Sequence, residues 1–404
     1  MKRSSMFLFA IILSVNLVAQ NINNENKALL ENQSYDIAAY VWPSYHPDNR
    51  AHIFWPDGIG EWQTVLSNIP KYDGHEQPRY PLWGYINEAD PYVAEMEINA
   101  AADHGVNVFI FDWYWYDGMP FLEGHLNDGY LKARNNDRVK FYLMWANHDV
   151  NQIWDKRNAG RKPKNDRIIW KGGVDREEFE IVCRRIIKNY FGHPSYYKVD
   201  GKPSFMIYEL DVLIEGLGGV KQTQDALQWF RKETRKAGFP GLDLQVTLRK
   251  DSKKVKDSEE NVIGTYNDMV RQLGFDGLTH YQFAHFANIN RDYMDIVPDA
   301  ISEWEKASRD KDTPYYPHVS IGWDDNPRYQ MLKPNIMKNN TPENFERALR
   351  EAKKFVDEHP GQAPLITINS WNEWTETSYL MPCTMYGYGY LEAVQKVFML
   401  NNDQ

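Results

Sequence analysis

The chain has 404 residues, 42% of them hydrophobic and 14% aromatic, and carries a formal charge of −10. So acidic a balance argues against a nucleic-acid partner, which calls for a basic face. The 14 tryptophans and 25 tyrosines are flat apolar rings with polar edges, suited to amphipathic ligands such as sugars.

Residues 1–20 read as an export signal. Lys2 and Arg3 precede "MFLFAIILSV", an apolar run too short to span a bilayer, and "NLVAQ" offers a cleavage site after Ala19 or Gln20. The signal contains no cysteine for lipid attachment, and no later stretch is long and apolar enough to span. The expectation is a periplasmic or secreted protein. Residues 21–35 form a polar lead-in, and residues 36–404 read as one domain. Eight apolar runs follow: Asp36–Trp42, Val106–Trp113, Val139–Ala146, Pro203–Tyr208, Leu242–Leu248, Asp276–Phe283, Pro317–Trp323 and Pro364–Trp371. Their continuous apolar character fits strands buried on both faces. Helical patterns lie between them, over 90–105, 177–190, 222–237, 291–308 and from Thr341 onward. Asp90-Pro91 and Thr341-Pro342 each supply an N-cap followed by proline at the first helical position. The basic cluster from Lys156 to Arg167 reads as a solvated loop. Eight strands alternating with helices predict a (β/α)8 TIM barrel with long βα loops. A doubly wound sheet would carry a glycine-rich loop after its first strand, and "YVWPSYHP" has no glycine.

Barrel enzymes place their chemistry at the C-terminal strand ends. Those ends deliver Trp42, Tyr45 and His46; Asp112, Trp113 and Tyr114; Trp145, Asn147 and His148; Tyr208; His280 and Tyr281; Trp323 and Asp324; and Trp371, Asn372, Glu373, Trp374 and Glu376. Glu209 and Arg249 stand there too. Carboxylates among stacking rings are what glycosidic-bond cleavage needs: one group protonates the leaving oxygen and another supports the electron-poor anomeric carbon. Glu373 and Glu376, three residues apart on a turn leaving the last strand, are expected as near neighbours whose like charges raise one pKa. His46, His148 and His280 lie on three different strands, without the spacing of a metal motif, so no metal or other cofactor is expected. Cys183 sits on the apolar stripe of a helix and reads as a packed small hydrophobe.

The segment "NSWNEWTETSYLMP" resembles the "WNEW-x-E" motif of WbsX-like proteins and of glycoside hydrolase family 99, the endo-α-1,2-mannosidases and mannanases. "AAYVWPSYHP", "GIGEW", "GHEQPRYPLWGY", "HGVNVFIFDWYWYDG", "FYLMWANHD" and "SIGWDDNPR" extend the resemblance to the WbsX-like group from about Ile37 to Pro382. It implies a barrel acting on a glycan without a metal, with Glu373 as base on the sugar 2-hydroxyl and Glu376 as general acid/base. It also implies that Trp371 and Trp374 brace the pair or line the sugar site. The sequence departs from family 99 at Thr375, where that family has His, and at Thr377, where it has Gly; Met381 replaces a usual acidic residue of the WbsX-like group. The reading is an exported, retaining glycoside hydrolase. Its rivals are a glycosyltransferase of surface-polysaccharide synthesis and a non-catalytic glycan-binding barrel.

Overall fold

The computed structural model describes residues 34–151, 154–155, 157, 168–250, 254–256, 261–309 and 313–400. The export signal expected at 1–20, most of the lead-in over 21–35 and most of the basic cluster lie outside these residues.

Eight parallel strands form the core: β1 (Asp36–Val41), β2 (Val108–Tyr116), β3 (Lys140–Trp145), β4 (Lys202–Ile207), β5 (Asp243–Thr247), β6 (Gly277–Thr279), β7 (His318–Ser320) and β8 (Leu365–Asn369). They pair in the order β6-β5-β4-β3-β2-β1-β8-β7. A parallel bridge between Leu278 of β6 and Tyr315, just before β7, draws the two end strands together. All eight coincide with the apolar runs in the sequence, because strands covered by helices outside and side chains inside must be apolar on both faces. The chief departure is β2, which continues three residues past Trp113. Asp117 (φ 53°) and Gly118 (φ 72°) turn it into a hairpin, and Tyr114, Trp115 and Tyr116 pair antiparallel with Met119–Phe121.

The outer layer comprises α1 (Pro91–Asp103), α2 (Arg176–Ile186), α3 (Leu210–Gly216), α4 (Val220–Lys236), α5 (Tyr266–Leu273), α6 (Tyr293–Ala307), α7 (Pro342–Asp357) and α8 (Gly389–Phe398). The Asp90 side chain accepts from Tyr92 N at 2.9 Å, and Thr341 caps α7, as the cap-proline pairs predict. Phe345, Ala348, Leu349, Ala352 and Val356 form the buried stripe of α7. Sequence reasoning did not place α3, α5 or α8. The β2–β3 connection has no α-helix; a π-turn (His125–Gly129) and a 3₁₀ turn (Tyr130–Lys132) fill that place. Cys183 and Cys383 are both buried and both free. Among the described residues no helix is long and apolar enough to cross a membrane.

Candidate active site

The βα loops enclose a cavity of about 210 Å³ at the C-terminal mouth of the barrel. Trp42, Asp112, Tyr114, His148, Tyr208, Tyr281, Glu373 and Glu376 line it, joined by Met144, Ala146, Trp154, Glu209 and Arg328. Strand periodicity explains the selection. Successive side chains point to opposite faces, so Asp112 and Tyr114 turn inward while Trp113 and Trp115 turn out. Trp113 stacks on Trp115 with centroids 5.8 Å apart and donates its Nε1–H to Glu123 at 2.8 Å. Trp145 likewise packs outward, 6.2 Å from Phe179 of α2.

After β8 the chain doubles back. Asn372–Glu373 pairs antiparallel with Ser378–Tyr379, and the 3₁₀ turn Trp374–Glu376 closes the loop. Ser370 Oγ ties its base, accepting from Glu373 N at 2.8 Å and donating to Ser378 O at 2.6 Å. Both glutamates meet one guanidinium. Arg328 Nη2 donates to Glu373 Oε1 at 2.5 Å and Nη1 to Glu376 Oε1 at 2.6 Å. Its Nε donates to Glu61 Oε1 at 3.2 Å. Glu61 is fully buried, and its other oxygen accepts from Trp42 Nε1 at 2.5 Å. Gly60 makes this approach possible: its φ is +63°, and a Cβ there would sit 1.9 Å from the Ser44 carbonyl.

Three carboxylates thus share one cation, and the cluster is short of positive charge. Burial pushes the Glu376 carboxyl up to about 7, with Arg328 opposing. Burial and then the charge of Glu376 raise Glu373. Two carboxylates bridged in this way titrate as a pair rather than singly. Like-charge crowding is the cause expected from the sequence; burial is the larger one. Glu376 Oε2 is buried without a hydrogen-bond partner, as is Oδ1 of Asp112. Asp112 Oδ2 accepts from Tyr281 O–H at 2.9 Å, and burial drives the Asp112 carboxyl well above its usual range. His148 is pushed down by burial and stays neutral.

Nine sequence candidates sit outside the cavity. Trp371 donates to Glu97 of α1 at 3.0 Å, and Trp374 stacks on Tyr379 at 3.9 Å, so both indoles turn away from the carboxylates and brace the turn from behind. Asn372 clamps Trp42 through two 2.8 Å backbone bonds, and Tyr45 O–H accepts from Trp374 N at 3.1 Å. Asn147 clamps the Glu209 backbone in the same two-bond fashion. His280 bonds Tyr315 O–H at 2.7 Å within the core, and burial lowers it to about 3. His46 is buried against Gly124, with Nδ1 on the Pro47 carbonyl, while Trp113 and Trp145 face outward as described. Two more, Trp323 and Asp324, line a separate cleft. Among the described residues no group of three His, Cys, Asp or Glu side chains is arranged to hold a metal.

Sequence reasoning missed Arg328 and Glu61 as site residues, although both lie in quoted motifs, "SIGWDDNPR" and "GIGEW". Neither sits at a strand end: Arg328 closes the 3₁₀ turn Asn326–Arg328, and Glu61 stands just before the short helix Trp62–Leu66. The departures at the motif also acquire positions. Thr375 Oγ1 donates to Glu61 at 3.1 Å. Thr377 adopts φ +57°, a left-handed conformation unusual for a β-branched residue, and its Oγ1 accepts from Gln77 at 2.6 Å.

A sequence model of the family described as glycosyltransferase WbsX matches residues 37–394. Two proteins called WxcX, from two strains of Xanthomonas campestris pv. campestris, are 26% identical over 386 residues, and their description adds "uncharacterized". The match covers 91% of this chain, but the chain spans about half the length of these curated relatives. Among solved structures, the GH99 endo-α-mannosidase from Bacteroides thetaiotaomicron superimposes with a TM-score of 0.54 at 16% identity, covering 89% of this chain and 95% of that one. A chain described as a glycoside hydrolase-like protein gives 0.57 at 14% identity, covering 92% and 95%. These likenesses establish the barrel fold.

Proposed function

The chain belongs to the WbsX family, and from that premise and its site we propose that it is a glycoside hydrolase, cleaving a polysaccharide or oligosaccharide with retention of anomeric configuration. One observation carries the reading. Glu373 and Glu376 share the Arg328 guanidinium at the edge of a cavity walled by Trp42, Tyr114, Tyr208 and Tyr281. Glu376, pushed up to about 7 with one oxygen unpartnered, is suited to give a proton to the leaving oxygen. Glu373, fixed by Ser370 and Arg328, takes the proton of the sugar 2-hydroxyl, whose oxygen then attacks the anomeric carbon. Glu376 next activates water to open the strained intermediate. A glycosyl ester on Glu373 is the other retaining route, and substrates without a 2-hydroxyl separate the two. Carboxylates held on one guanidinium leave little room for the interposed water of inverting enzymes, whose pairs stand roughly 6.5–9.5 Å apart.

The family description favours a glycosyltransferase instead. Of the described residues lining the cavity, Arg328 alone brings a guanidinium, already shared among three glutamates, and His148 in the same wall is kept neutral by burial. A nucleotide-sugar diphosphate would find no free cation among them. An export signal over residues 1–20, as expected from the sequence, would put the substrate outside the cytoplasm, where activated donors are scarce. The test is digestion of a panel of bacterial, plant and host glycans by the mature protein, with products read by mass and the first-formed anomer by proton NMR. Hydrolysis with retention is expected. An initially inverted product removes the close-pair mechanism, and transfer from a nucleotide sugar without hydrolysis removes the hydrolase reading.

A further inference from the structure

Behind the turn that carries Glu376 lies a second cleft, of about 320 Å³, which shares no lining residue with the first. Consecutive residues divide the two: Glu376 lines the cavity, Thr377 the cleft. Three aromatic rings border the cleft. Tyr72 is 43% exposed and lies flat on His75, with centroids 4.5 Å apart, so its outer face is open. Trp323 and Tyr386 are half-buried. Arg79 reaches over the Tyr386 ring at 5.7 Å, itself buried, and its Nε has no hydrogen-bond partner. The floor is Asp324, whose carboxylate is already satisfied by His75 (2.8 Å), Gln77 (2.9 Å) and Asn326 (2.6 Å).

We propose that this cleft is a second saccharide-binding site, holding a unit of the same glycan beside the bond-cleaving pocket; the inference rests on the hydrolase reading above only in taking the ligand to be that glycan. The rings offer platforms for the apolar faces of a sugar, and Arg79 with the Asn340 amide offers edges for its hydroxyls. The satisfied floor closes the site without competing for the ligand. The same floor is bonded to the turn: Asp324 N donates to Glu376 O at 2.8 Å, and Thr377 Oγ1 donates to Asp324 O at 3.1 Å. A chain seated in the cleft is therefore held one residue away from Glu376, and long glycans gain affinity that short ones lack.

The Glu376→Gln protein, made inactive so that it leaves the matrix intact, is run through native gels containing α-mannan, xyloglucan, pectin or chondroitin sulfate in turn. At least one polysaccharide should retard it, and Trp323→Ala or Tyr72→Ala added to the same protein should weaken that binding by about tenfold, the scale of one lost ring platform. Tyr72 is exposed enough to remove without disturbing the core, so its loss reads binding rather than folding. The proposal is overturned if no gel retards the protein, or if both substitutions leave the retardation unchanged. Digestion by the wild type with unchanged retardation sinks the cleft alone. Retardation lost in both variants, with no polysaccharide digested, sinks the hydrolase alone.

Discussion

Two buried clusters in this barrel are built alike, a cation held between glutamates, and have opposite surroundings. In one, Arg328 bridges Glu373 and Glu376 at the edge of the cavity. In the other, His125 lies 3.1 Å from Glu88 and 3.2 Å from Glu97, sealed behind the turn. In the sealed cluster Glu88 also accepts from Asn372 at 2.8 Å, and Glu97 from Trp371 at 3.0 Å. Its carboxylates thus grip the two residues that precede Glu373. Burial alone would lower His125, but Glu88 and Glu97 push it up to about 10, so the cation persists at any ordinary pH. Glu88 Oε2 makes no hydrogen bond but lies against the His125 cation at 3.1 Å, whereas Glu376 Oε2 has neither, and its proton is held only to about 7. A buried carboxylate–cation bridge is therefore scaffold or chemistry according to whether its carboxylates line the cavity, as Glu373 and Glu376 do and Glu88 and Glu97 do not.

The largest effect should come from Glu376→Gln. It is expected to lower kcat on unactivated glycosides by about 10²–10⁴-fold, the worth of general acid catalysis, with no fall in melting temperature. Glu97→Gln should do the reverse, lowering the melting temperature and reducing activity only as the folded fraction falls. If Glu97→Gln matched the first loss at unchanged stability, the contrast between the clusters would fail.

Removing the cations sharpens the same point. His125→Leu leaves two sealed carboxylates uncompensated and should cost about 3–5 kcal/mol in urea unfolding. Arg328→Met should cost less, because Glu376 borders a cavity that water can enter, yet it should abolish most activity. A larger stability loss for Arg328→Met than for His125→Leu would contradict this.

The clusters should also separate in pH. An acid with its pKa raised to about 7 works below that value, so kcat/KM should fall as pH rises through about 7, by about tenfold per unit, as a single lost proton requires. His125 is raised from 6.5 to about 10, so the stability it contributes is complete below about 6.5 and declines up to about 10. Melting temperature should therefore continue to fall over an alkaline range in which activity is already lost. A parallel decline of the two would merge the clusters into one titration.

The smallest effect concerns the backing of the turn. A Cβ at Gly322 would lie 2.4 Å from the Thr377 carbonyl and 2.4 Å from Asn340 Nδ2. Gly322→Ala should cost about 1–3 kcal/mol as overpacking, with activity falling further than the folded fraction explains, since the displaced backbone carries Glu376. Unchanged kinetics would show that the turn tolerates movement.

The strands were legible because a parallel barrel strand needs apolar residues on both faces over five or so positions, a local signal. Helices with proline after a capping residue were equally legible. The helices α3, α5 and α8 were not, since each is short or follows a turn without such a start. At the site, the two glutamates could be found from their placement at the end of the last strand and from motif resemblance. Which neighbours join them could not. Strand-end lists include both faces, and only a known register separates Asp112 and Tyr114 from Trp113.

The sequence alone determined the eight buried strands, the barrel they imply and the turn that presents Glu373 and Glu376, because these depend on hydrophobic pattern and on residues close together in the chain. Tertiary structure alone decided that Arg328 and Glu61, 267 positions apart, complete the cluster. It also turned Trp371 and Trp374 away from the cavity, and divided the mouth of the barrel into two clefts on either side of one turn. Each of these is a contact between separate βα loops. Neither partner in such a contact bears a local mark of the other, since the geometry that joins them exists only once the barrel has closed.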